Sequence, residues 1–139
     1  MRKPSVERFA HSVQQLYEKN RAVVFLCGPT LKDASTNSAA ALRLRLRDAL
    51  VADGFEVVLG EDDGLEDVRL KLSEGYAHDN ELEFIQRECS AIVLVANSVG
   101  SFCELGLFVH WLARNEDRTC DLILLADQQY ENHQSYFNE

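Results

Sequence analysis

The stretch AIVLVANSVGSFCELGLFVHWLAR, Ala91–Arg114, passes from an almost unbroken apolar run, through a short polar turn, into a second apolar segment of different period. The first part, AIVLVAN, has no polar alternation and reads as a strand buried on both faces. From Ser101 onward the apolar residues return at helical spacing, with Phe102, Leu105, Val109 and Leu112 on one stripe. A buried strand that leads directly into an amphipathic helix is the repeating half of a parallel α/β architecture.

The rest of the chain repeats this pattern. AVVFLCG (Ala22–Gly28), FEVVLG (Phe55–Gly60) and DLILLAD (Asp121–Asp127) read as further buried strands. Helical patterns lie between them at about 38–53 and 79–89, and another precedes the first strand at about 5–19. LRLRLRD (Leu42–Asp48) imitates an exposed strand, but its alanine flanks favour a helix. Leu42, Leu46, Ala49 and Leu50 then form the inner stripe, and Arg43 and Arg47 turn away as solvated charges. Ser38 or Asn37 can serve as its N-cap, and Gly54 as its stop. The alternation predicts a three-layer α/β sandwich around a parallel sheet of four or five strands, as a single domain over 1–139. Residues 1–20 are expected as an N-terminal helix, and 128–139 as a tail or the start of a further region.

Composition narrows the function. The net charge is -9, from 23 acidic and 14 basic residues, which disfavours unspecific binding to a nucleic-acid backbone. A small ligand or a protein partner is the expected class. The four cysteines form no C-x-x-C pair and the four histidines share no metal spacing with them, so reduced thiols, a cytoplasmic location and no metal are expected. No apolar run reaches the length of a membrane span or of a signal-peptide core.

In a parallel sheet the ligand crevice opens at the carboxyl ends of the strands. Three loops occupy that position. CGPT places Cys27, Gly28 and Pro29 after the first strand, where a sharp turn is required and a glycine lets a ligand approach the backbone. GEDDGLED (Gly60–Asp67) gathers carboxylates after the second strand, with Asp62 nearest the strand end; a solvated acidic loop is the competing reading. NSVGS follows the third strand. There, Ser101-Phe-Cys-Glu104 fits the S-x-x-E capping box, in which Glu104 would bond back to the cap. The competing reading takes Glu104 as an ionised carboxylate at the flank of the stripe, facing the crevice and able to reach a substrate.

VFLCGP near the start and GSFCELG (Gly100–Gly106) resemble the nucleoside 2-deoxyribosyltransferase-like family, which shows a strand ending in a Gly-Pro turn and a later G-[ST]-x-x-E-x-G. Within it, SFCELGLF together with FLCG is similar to the deoxyribosyltransferase-like domains of retron-associated antiphage effectors. The similarity runs from about Ala22 to Asp127. The resemblance implies a flavodoxin-like sheet of order 2-1-3-4 and cleavage of an N-glycosidic bond. Glu104 would be the nucleophile or the carboxylate facing the oxocarbenium ion. Ser98, Gly100 and Ser101 would bind substrate, as would an acidic residue ahead of the third strand: Asp79, with Glu81, Glu83 and Glu88 as competitors. Ser90 stands where family members commonly carry an aspartate, which bears on transfer between bases more than on bond cleavage.

For a retron-like effector the resemblance implies NAD or a related nucleotide as substrate, no cofactor, a toxic antiphage outcome, and a reverse transcriptase with its RNA–DNA product as companions. A homo-oligomer is also expected. The rival expectations are a nucleotide-sensing module without turnover and a deoxyribosyltransferase of nucleotide salvage.

Overall fold

The computed structural model describes residues 8–13, 15, 21–60, 77–115 and 120–131. Residues 8–13 and 15 are helical, within the helix expected at about 5–19. Four strands follow: β1 (Val23–Cys27), β2 (Glu56–Leu59), β3 (Ala91–Ala96) and β4 (Asp121–Ala126). All pair in parallel in the order β2-β1-β3-β4, as expected, with Val24 opposite both Val57 and Ala91 and Val95 opposite Leu125. The helices are α1 (Ser38–Ala52), α2 (Ala77–Glu88) and α3 (Val99–Arg114). Among the described residues no helix is long and apolar enough to cross a membrane.

Two cores make the fold three-layered. On one face α2 and α3 bring Phe84 and Phe108 edge-on to Phe25 of β1, with ring centroids 5.8 and 6.2 Å away. On the other, Leu46 and Leu50 of α1 pack on Val24, Leu26 and Val93. Connections that step outward in opposite directions from the β1–β3 pair put their helices on opposite faces, leaving a crevice at that switch point.

The ends of α1 follow from its sequence. Asn37 Oδ1 accepts from the amides of Ala39 and Ala40 at 2.9 and 3.2 Å. At the other end Gly54 has φ +89°, and Phe55 N and Gly54 N donate to Leu50 O and Val51 O. This is the Schellman closure that favours glycine.

Three expectations are corrected. The inner stripe of α1 contains Ala40 and Arg43, with Leu46 and Leu50 beside them, whereas Leu42 is 39% exposed. On α3, Val109 is 48% exposed, and the buried line runs through Ser101, Phe108 and Leu112. β4 is not buried on both faces: it is the edge strand, and Ile123 on the α1 side is 48% exposed. α1 packs over β2, β1 and part of β3.

Candidate functional site

The site is assembled where β1, β2 and β3 end. Ser98 is the N-cap of α3, so the helix starts at Val99 and its capping box is Ser98 with Ser101. The Ser98 and Asn97 amides donate to Ser101 Oγ at 2.8 and 2.9 Å, Ser101 Oγ–H donates to Ser98 O at 2.8 Å, and Ser101 N donates to Ser98 Oγ at 3.2 Å. The S-x-x-E box expected at Ser101 and Glu104 is therefore not the one formed. Two serines three residues apart satisfy the same geometry one turn earlier, and no acidic residue lies in the first turn of α3.

Glu104 is therefore not a member of the capping box of α3. It lies about 60° around the helix from buried Ser101 and about 40° from buried Phe108, at the flank of the buried line as expected. It is half-buried.

A second carboxylate is nearly buried. Glu81 of α2 is 9% exposed, and its Oε1 lies 3.8 Å from where a Cβ on Gly60 would stand, at the end of β2. Burial pushes the Cys27 thiol well above its ordinary range, and the Glu104 and Glu81 carboxylates push it further, while Arg43 opposes them. Both acids therefore bear on the end of β1, within the low-dielectric α2–α3 side of the sheet. Cys27 is 3% exposed and its thiol stays protonated, which suits a wall of the site and not a nucleophile.

Arg43 holds the turn after β1. It is 1% exposed, and its guanidinium donates to Leu26 O at 2.6 Å, Pro29 O at 3.0 Å and Gly28 O at 3.2 Å. Gly28 has φ +146°, and a Cβ there would stand 2.9 Å from Val95 O and 3.2 Å from Arg43 Cδ. What approaches Gly28 so closely is the chain itself, so the glycine locks β1 against β3 at the crevice floor.

The remaining expected site residues lie as follows. Pro29 is half-buried beside this turn, and Gly100 is exposed, with only Ser98 Oγ within 4 Å of where a Cβ would stand. Ser98 and Ser101 spend their hydroxyls on the cap. Asp79 is exposed in the first turn of α2, about 200° around the helix from Glu81. Asp62 lies outside the described residues, as does the acidic loop after Gly60.

Sequence reasoning left Glu81 among several acids and missed Arg43. For Glu81 the available signal was its spacing to Phe84 and Ile85, three and four residues on, which are fully buried.

Residues 55–139 match a family described as STM3845 retron effector protein. The matched segment holds Glu81 and the whole Ser98–Glu104 turn, whereas Gly28 and Arg43 precede it. No curated protein and no solved structure matches the chain.

Proposed function

We propose that this chain, which belongs to the STM3845 retron effector protein family, is an antiphage effector that acts by cleaving the N-glycosidic bond of a nucleoside or nucleotide in the cytoplasm. The observation that carries this reading is that Glu104 and the nearly buried Glu81 both act on the Cys27 thiol at the end of β1, beside the β1–β3 crevice. The likeness of GSFCELG to the nucleoside deoxyribosyltransferase-like motif supports the same assignment of Glu104.

Breaking the bond between a sugar's anomeric carbon and a base leaves positive charge on the sugar, and the bonding electron pair departs with the base. Glu104 faces that charge, or adds an oxygen to the anomeric carbon, and water then delivers its own oxygen there and loses a proton to solvent. Glu81 accepts from a sugar hydroxyl and fixes the ring against Glu104. Two carboxylates favour a substrate whose leaving base is already cationic, as in a pyridinium nucleotide such as NAD. That base departs neutral and needs no acid. A retron reverse transcriptase and its RNA–DNA product are the expected companions, with contact through protein, given the net charge of -9.

The test is release of base from NAD and from a panel of ribo- and deoxynucleosides and their monophosphates, followed by chromatography. Release that disappears in a folded Glu104→Gln variant supports the reading; no release from any compound overturns it.

A further inference from the structure

On the opposite face of the sheet from Glu104, a cavity of about 450 Å³ lies between the start of α1 and the ends of β3 and β4. Its size is that of a small-ligand site. Val95 and Leu125, which are register partners on adjacent strands, belong to its lining. Strands stand about 4.8 Å apart, so the pair forms a flat apolar floor about as wide as an aromatic ring. Leu42, 39% exposed, stands on α1 across from it. Two residues further along each strand direction, Asn97 and Asp127 also line the cavity, at the edge of this floor, and Ser38 contributes a hydroxyl from the helix side. Asp127 Oδ1 accepts from Gln129 N at 2.9 Å, and a carboxylate has acceptor sites beyond that one bond.

Among the described residues that line the cavity, Asp127 is the one charged side chain. A phosphate or carboxylate is therefore disfavoured there. A neutral planar heterocycle fits: its faces meet Leu42 and the Val95–Leu125 floor, and its amine or ribose hydroxyls donate to Asp127 and Asn97. Two strand spacings, roughly 10 Å, separate the ends of β1 and β4. The amino end of α3 lies between the two faces, with Val99 83% exposed and Gly100 bare of side chain. A linker can cross there.

We infer that this cavity is a second nucleoside subsite, which holds the unreacted neutral nucleoside of an extended, dinucleotide-like substrate. What the other half undergoes rests on the Glu104 reading; the subsite itself rests on the cavity.

The experiment titrates adenosine into the full chain, into Leu42→Trp, which fills the cavity, and into Glu104→Gln. Calorimetry gives the affinity, and backbone amide shifts locate the ligand. The expected result is equal binding by the parent and Glu104→Gln, at least tenfold weaker binding by Leu42→Trp, and shifts centred on Leu42, Asn97 and Leu125. Should Leu42→Trp not fold, the shifts in the parent protein decide alone. Shifts centred on Cys27 and Glu104, or no binding, overturn the subsite whether or not base release is seen. Binding in the cavity without base release from any compound would leave the subsite standing and remove the glycosidase.

Discussion

The hydroxyl of Ser101 accepts the amides of Asn97 and Ser98, closing the cap of α3 one turn before Glu104. Under the proposed function, stability and chemistry are divided between two residues that the sequence places in one motif. Ser101→Ala is expected to lower unfolding free energy by about 1–2 kcal/mol, as a lost cap does. Glu104→Gln should leave it within about 0.5 kcal/mol while base release falls by several orders of magnitude. Denaturant titration run beside the release assay separates the two. A Glu104→Gln loss as large as that of Ser101→Ala would return the glutamate to a structural role.

Arg43 and Arg47 make a second contrast. Replacing Arg43 by Met removes the donors to Leu26 O, Gly28 O and Pro29 O and is expected to cost about 2–4 kcal/mol. Arg47 pairs at 2.8 Å with Asp48, whose side chain is 63% exposed, and Arg47→Met should change stability by under about 0.5 kcal/mol. Melting temperatures of the two variants check this. Equal effects would mean that the buried guanidinium does not hold the β1 turn.

The strands were legible because a parallel strand covered on both faces admits few polar residues, so β1 and β3 stand out as apolar runs. Their order was expected from the family resemblance and not from the runs themselves, and the β2-β1-β3-β4 sheet agrees with it. The ends of α1 were legible too, since Asn37 and Gly54 are bound by local backbone geometry. Other features depend on what a side chain meets across space. The apolar stripe misplaced Arg43, because three carbonyls at the end of β1 can bury a guanidinium where periodicity asks for leucine. Ser98-x-x-Ser101 and Ser101-x-x-Glu104 are both good capping boxes, and only the point where β3 ends decides between them. Glu81 was not separable from Asp79, Glu83 and Glu88 until the rotation of α2 was known.

Gly28→Ala places a methyl 2.9 Å from a carbonyl oxygen on a backbone at φ +146°. A loss above about 2 kcal/mol is expected, from the clash and the strain together. Gly106→Ala is the opposite case. It is exposed in the middle of α3, with nothing within 4 Å of its missing Cβ, and should gain about 0.5–1 kcal/mol. Chemical denaturation of both variants gives the signs directly; a destabilised Gly106→Ala would mean that the open space is occupied in the assembled protein.

The thiols report burial and pH dependence. Cys103 is exposed, whereas Cys27, Cys89 and Cys120 are buried, so brief treatment with iodoacetamide should modify Cys103 first and the others only on unfolding. Because the Cys27 thiol is raised in the folded protein by burial and by Glu104 and Glu81, the unfolded chain loses that proton at lower pH than the folded one. Its contribution to stability is complete below about pH 8.5, the value of a free thiol, and declines as pH rises above it, by up to about 1.4 kcal/mol per unit. Urea midpoints measured between pH 7 and 10 should fall above that point, and Cys27→Ser should lessen the slope. A slope that Cys27→Ser leaves unchanged would assign the loss to other groups.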